Sequence, residues 1–176
     1  MRQNWQLWEG ALSPAQCDEI IATLKKECTM EQANVFGGSP EDVRKTSIGW
    51  TANPEIQSMI NGYVLGANQV FNLDIDHMVE TQFGEYTTGG HYSWHHDVDF
   101  ENESGADRKI STVVQLSDPS DYVGGDFEFS RIETPQGFRT RGSVLCFVSY
   151  NTHRVTPLES GTRYSLVNWM EGPTWR

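Results

Sequence analysis

Cys17, Ile20, Ile21, Leu24 and Cys28 recur at helical intervals, which puts them on one apolar face of a helix. Ser13-Pro14 marks its start, with serine suited to the N-cap, proline to the first helical position, and acidic residues in the first turns. Trp5 to Leu12, ahead of it, reads as a short strand. A second helix begins at Asn53-Pro54 and carries Ile56, Met59, Ile60, Tyr63, Val64 and Ala67 as its buried stripe. Between the helices, Thr46 to Trp50 reads as a strand. Residues 29–45 lose periodicity, contain Gly37-Gly38-Ser39-Pro40, and read as a long loop of the kind that often serves as a lid.

After residue 71 helical spacing gives way to short alternating runs at about 77–87, 91–97, 109–116, 126–131, 143–149 and 162–170. Gly89-Gly90, Asp118-Pro119, Gly124-Gly125, Pro135-Gln136-Gly137 and Ser160-Gly161 supply the turns between them. Two N-terminal helices followed by many short strands predict an α+β fold in which the helices back one sheet of a sandwich or barrel. No repeat, low-complexity tract or linker divides the chain, so residues 1–176 read as one domain.

Thirteen basic against 24 acidic residues give a formal charge of -11. That excludes nucleic acid as an expected partner, because phosphate binding needs a cationic surface. Cys17, Cys28 and Cys146 are odd in number and lack metal or redox spacing, so no disulfide framework is expected. No apolar run is long enough for a signal core or a membrane span, which makes a cytoplasmic protein without a membrane partner the expectation.

The chemistry concentrates in Tyr86-Thr87-Thr88-Gly89-Gly90-His91-Tyr92-Ser93-Trp94-His95-His96-Asp97, which reads as strand, glycine turn and second strand. Strand alternation puts His95 and Asp97 on one face and His96 on the other. His153, directly after the apolar run Ser143 to Ser149, is the best third ligand. Two histidines and one carboxylate form the facial triad suited to non-haem Fe(II). Alone, a His-x-Asp triplet is weak, since most strand histidines are structural or on the surface. Arg163, ten residues after His153, adds a cation able to hold a carboxylate through a bidentate fork. Tyr86 and Tyr92 could donate hydroxyls to the same ligand, and Trp169, on the same strand face as Arg163, could wall the pocket. Val113, Leu116, Val144, Leu145 and Phe147 are candidate walls, with ordinary core the commoner role for most of them.

The pattern Tyr86-x-x-Gly89-Gly90-x-Tyr92-x-x-His95-x-Asp97 resembles the Fe(II)- and 2-oxoglutarate-dependent oxygenases of the prolyl 4-hydroxylase-like group. Its Gly-Gly turn is similar to that of collagen-type and algal prolyl 4-hydroxylases. Leu116-Ser117-Asp118-Pro119-Ser120-Asp121-Tyr122-Val123-Gly124-Gly125-Asp126 looks more like the bacterial PKHD-type hydroxylases of the same superfamily. His153-Arg154-Val155-Thr156-Pro157, Gly161-Thr162-Arg163 and Trp169 continue the likeness, which runs from about residue 8 to about residue 171. The resemblance implies a double-stranded β-helix, or jelly roll, with the N-terminal helices backing one sheet. It implies Fe(II) held by His95, Asp97 and His153, with 2-oxoglutarate chelating the iron and its distal carboxylate held by Arg163 and a tyrosine, Tyr86 before Tyr92. O2 completes the cofactor set, with ascorbate an optional addition. Many prolyl 4-hydroxylases carry lysine where this chain has Arg163. Asp97 disfavours the halide-binding variant, which has a small residue there.

The implied activity is hydroxylation of an aliphatic C–H, a peptidyl prolyl residue first, with succinate and CO2 released. A free amino acid or other small molecule is the rival substrate. A jelly-roll binding module without turnover is the rival from another class, and a cupin-like hydrolase or isomerase would call for more histidine ligands. Peptide, protein or small-molecule substrates are the expected partners of a monomer or weak dimer. The small size suggests a bacterial or phage-type enzyme without a separate substrate-binding domain. The loop from about Met30 to Lys45 and the acidic stretch Val98 to Arg108 are candidate lids, favouring a basic or neutral partner.

Overall fold

The computed structural model describes residues 3–33, 43–100 and 104–175. β1 (Trp5–Trp8) leads into α1 (Pro14–Glu27), whose N-terminus is closed by a capping box. The Ser13 hydroxyl accepts from the Gln16 N–H, and the Gln16 side chain accepts from the Ser13 N–H in return. No acid stands in the first turn, so this reciprocal pair, rather than charge against the helix dipole, holds the start of α1. The two-residue strands β2 (Glu31–Gln32) and β3 (Arg44–Lys45) occupy the ends of the segment expected as a single loop. The rest of that expectation, with Gly37-Gly38-Ser39-Pro40, lies outside the described residues. β4 (Ser47–Thr51) precedes α2 (Pro54–Phe71), where the Asn53 side chain accepts from the N–H groups of Glu55 and Ile56.

Then follow β5 (His77–Met78), β6 (Thr81–Tyr86), β7 (His91–His95), β8 (Ala106–Gln115), β9 (Tyr122–Gly124), β10 (Phe127–Phe129), β11 (Val144–Val148), β12 (His153–Val155), β13 (Leu158–Gly161) and β14 (Arg163–Pro173). The expected run 77–87 is split in two, and β8 starts three residues early. β9, β12 and β13 are too short for a two-residue period to reveal. The Gly124-Gly125 turn has a steric cause: Gly124 has φ +74°, and a Cβ there would collide with the Pro157 carbonyl oxygen.

Antiparallel pairing orders the larger sheet β1-β11-β8-β14-β6-β4-β2, with β5 alongside β14. A smaller sheet runs β10-β12-β7-β3, and β13 pairs with β9. Alternation divides the larger sheet into two faces. Ile110 and Val114 of β8, Val144, Cys146 and Val148 of β11, and Leu166 and Met170 of β14 pack with Leu24 of α1 and Ile56, Ile60 and Val64 of α2. Val113, Leu145 and Phe147 face the other way, into Phe127 and Phe129 of the smaller sheet. This is the jelly roll backed by helices on one sheet. Leu116 and Val144, candidate pocket walls, belong to the helix-facing core instead. The three cysteines are free. Among the described residues no helix is long and apolar enough to cross a membrane.

Ile60 is fully buried between α2 and the sheet. Ile60→Ala is expected to cost about 2–5 kcal/mol of stability, read as a lowered urea midpoint with unchanged slope.

Candidate active site

β7 and β12 lie side by side with His95 directly opposite His153. Their rings sit 4.2 Å apart, centroid to centroid. β7 ends at His95, so alternation along the strand does not place Asp97. A backbone bond does: the Asp97 N–H donates to the Ser149 carbonyl at 3.0 Å, just past the end of β11. The Ser111 hydroxyl of β8 then donates to Asp97 Oδ2 at 2.6 Å and lies 2.9 Å from Ser149 Oγ. His96, expected on the opposite face, lines the same cavity as His95. It is exposed at the rim of the cavity with its ring against Phe100.

The histidine tautomers follow from their partners. His95 Nδ1 lies 2.8 Å from the Ser93 carbonyl oxygen and His153 Nδ1 lies 2.9 Å from that of Asn151. A carbonyl only accepts, so each Nδ1 carries a proton and Nε2 is the ring nitrogen left for a metal. His95 Nε2 faces Asp97 Oδ1, and His153 Nε2 faces Asp97 Oδ2, both at 3.7 Å. All three ligand atoms lie within 4.8 Å of one another. Burial, reinforced by the His153 ring and opposed by the Asp97 carboxylate, pulls His95 down to about 4. It is therefore neutral near pH 7. Burial alone would raise Asp97, but His153, His95 and the Ser111 hydroxyl together hold it below the ordinary carboxylate value. The Trp169 indole N–H adds to that lowering although it falls short of hydrogen-bond geometry. Two nitrogen lone pairs converging on a buried carboxylate, too far apart to share a proton, form a donor set that fits a divalent cation.

The seven residues singled out in the sequence, His95, Asp97, His153, Arg163, Tyr86, Tyr92 and Trp169, all line one cavity of about 440 Å3. Arg163, at the start of β14, is 2% exposed. Its Nε donates to Gln115 Oε1 at 3.0 Å, while the buried Nη1 meets no partner among the described residues. Tyr86 stands opposite Arg163 across β6 and β14, with the guanidinium carbon 5.4 Å from its ring centre. Tyr92 lies elsewhere, stacked on His95 with centroids 3.5 Å apart. Burial raises the Tyr92 phenol, which keeps it a donor. Trp169 walls the cavity, with Arg108 stacked 3.9 Å from its ring centre. Val113 also lines the cavity, and Phe147 packs edge-on against His153.

Four residues escaped the sequence reading. Arg44 is 7% exposed and donates to Gln82 Oε1 at 2.6 Å; its Nε has no partner among the described residues, and it lies over the Tyr92 ring. It sits on a two-residue strand inside an apparent loop, where no periodicity could mark it. Arg108 falls on the unforeseen first turn of pleat in β8. Ser111 and Gln115 could have been found, because they alternate with Val113 on one strand face. Of the candidate lids, residues 34–42 and 101–103 lie outside the described residues, and the cavity itself is lined by the cations Arg44, Arg108 and Arg163.

Residues 81–171 match the family model of the 2OG-Fe(II) oxygenase superfamily. A PKHD-type hydroxylase of Picosynechococcus is 30% identical over 165 residues, covering 91% of this chain and 74% of the relative. Another, from Synechococcus, is 34% identical over 84 residues, covering 47% of this chain and only 37% of the relative. Among solved structures, a viral collagen prolyl hydroxylase of Paramecium bursaria Chlorella virus-1, bound to 2OG, superposes with TM-score 0.77 at 19% identity over 97% of both chains. A Trichoplax adhaerens prolyl hydroxylase, in complex with a hypoxia-inducible-factor peptide fragment, gives TM-score 0.75 at 18% identity, covering 95% of this chain and 83% of that one.

Asp97→Ala is expected to abolish Fe(II) binding in anaerobic equilibrium dialysis, whereas His96→Ala retains it. Ser111→Ala, which removes the hydroxyl from Asp97, is expected to weaken binding by about 10- to 100-fold.

Proposed function

Since the chain belongs to the 2OG-Fe(II) oxygenase superfamily, we propose that it is an Fe(II)- and 2-oxoglutarate-dependent hydroxylase of an aliphatic C–H, with a peptidyl prolyl residue as the preferred substrate. One observation carries the reading: a buried arginine with an unpartnered N–H shares a single cavity with a two-histidine, one-carboxylate cluster.

His95 and His153 would hold the metal through Nε2, and Asp97 through its carboxylate. When bound there, the iron supplies the redox chemistry by which O2 and 2-oxoglutarate hydroxylate a C–H bond, with succinate and CO2 released. The protein does the rest. The backbone carbonyls of Ser93 and Asn151 keep both imidazoles in the metal-binding tautomer. Ser111 fixes the Asp97 carboxylate. Arg163 pairs with the distal carboxylate of 2-oxoglutarate and selects for it, because a ligand without that group leaves a buried cation unpaired. Tyr86, facing Arg163 across the sheet, is the tyrosine assigned to the same carboxylate. Tyr92 belongs to the metal end, where it buttresses His95. Val113, Val167 and Trp169 line the cavity and limit water.

Two observations support a peptide substrate. The cavity rim carries Trp50, 46% exposed and 6.2 Å from Trp169, so an aromatic ledge extends the site outward. The structural neighbours named above are prolyl hydroxylases, one of them in complex with a peptide fragment. A free amino acid is the second reading, favoured by Arg44 Nε, which has no partner among the described residues and which an α-carboxylate would satisfy.

Succinate release is expected to rise above the uncoupled background with proline-containing peptides and not with free amino acids; the reverse would establish the second reading. Arg163→Ala is expected to raise the 2-oxoglutarate KM on the order of 100-fold while leaving Fe(II) affinity unchanged.

A further inference from the structure

Arg163 borders two cavities. One holds the histidine–aspartate cluster; the other, of about 230 Å3, is also bordered by Gln115, Tyr122 and Arg139. Gln115 and Tyr122 do not line the first cavity, so neither is placed to touch a ligand there. Gln115 is nevertheless 1% exposed with its carboxamide fully used. Its Oε1 accepts from Arg163 Nε at 3.0 Å, and its Nε2 donates to the Ser117 carbonyl at 3.1 Å and to the Tyr122 hydroxyl at 2.8 Å.

The orientation of this amide is forced. A guanidinium only donates and the Ser117 carbonyl only accepts, so a flipped amide would set N–H against N–H and oxygen against oxygen. Tyr122 is itself held. Arg139 lies over its ring, 4.5 Å from the centre, and donates to the Tyr122 carbonyl at 3.2 Å. The ring packs with Tyr86, Val155 and Leu158. A long side chain bordering two cavities would otherwise divide its time between them. The tether engages Nε and leaves Nη1 open.

We propose that Gln115, oriented by Tyr122 and the Ser117 carbonyl, is the positioning residue that aims Arg163 and thereby sets the preference for a co-substrate with a second carboxylate. This rests on the reading of Arg163 as the carboxylate clamp. Gln115 acts through the guanidinium and contributes nothing to the metal or to the oxoacid end of the ligand.

The test compares 2-oxoglutarate with 2-oxopentanoate, which has the same chain length but no distal carboxylate. Both are titrated calorimetrically, without oxygen, into the Fe(II)-loaded protein. Gln115→Leu is expected to shrink the preference for 2-oxoglutarate by about 10- to 100-fold, with 2-oxopentanoate binding and Fe(II) affinity unchanged. Tyr122→Phe, which keeps the packing and leaves Gln115 its Ser117 partner, should shift the ratio in the same direction by roughly 2- to 5-fold and serves if the first variant does not fold. An unchanged ratio, or an equal loss for both ligands, overturns the proposal. Arg163→Ala separates the two levels. If it collapses the preference while Gln115→Leu leaves it intact, only the positioning role fails; if it leaves the preference intact, the clamp reading falls and this inference with it.

Discussion

The two-residue period of β8, β11 and β14 is the constraint on which the rest of the molecule depends. These strands are buried on both sides, and the two sides have different neighbours. One side presents Ile110, Val114, Cys146, Val148, Leu166 and Met170 to the helices. The other presents Ser111, Val113 and Gln115 on β8, and Arg163, Ser165, Val167 and Trp169 on β14, to the interior of the roll. A slip of one residue would exchange the two sets. It would place Arg163 against an apolar helix layer and leave Asp97 without its serine. Register is thus specified twice over, by hydrophobic burial on one face and by polar satisfaction on the other.

The interior face is costly to maintain. Asp97 and Arg163 are buried ionic groups, and neither finds an opposite charge within hydrogen-bond distance among the described residues. Each is instead steadied by a neutral side chain: Asp97 by the Ser111 hydroxyl and Arg163 by the Gln115 carboxamide. A structural ion pair would have joined such charges to each other. Held apart in one cavity, they suit a ligand pair of complementary sign, with a cation at the Asp97 end and a carboxylate at the Arg163 end. That pattern, in which buried polar groups are fixed but not mutually neutralised, marks a functional interior rather than a stabilising one.

Much of this was legible in the sequence. Both helices announced themselves through their caps and apolar stripes, because burial against a sheet demands a continuous face. The His95, Asp97 and His153 cluster was legible because His95 and Asp97 stand two residues apart and His153 follows closely on the apolar run that forms β11. The reason given for Asp97 was nonetheless incomplete, since a hydrogen bond to Ser149, from a distant part of the chain, does what alternation was expected to do. Arg44 was illegible for the same cause on a larger scale. Its strand is two residues long and exists only because β7 lies beside it. Gln115 fell between these cases. Its face could be read, but the partner that gives it meaning enters nearly fifty residues later.

That lateness extends to the sheet itself. β14 lies between β8 and β6, yet it follows both in the chain. The two earlier strands therefore cannot share a sheet until β14 has inserted between them, and β14 brings Arg163 and Trp169 with it. Assembly of the barrel and completion of the pocket are one event, closed over long sequence separation. Without β14 in place, β7 and β12 still supply His95 and His153, but the cavity lacks Arg163 and Trp169. The order of strands ties the completeness of the cavity to the pairing of β14.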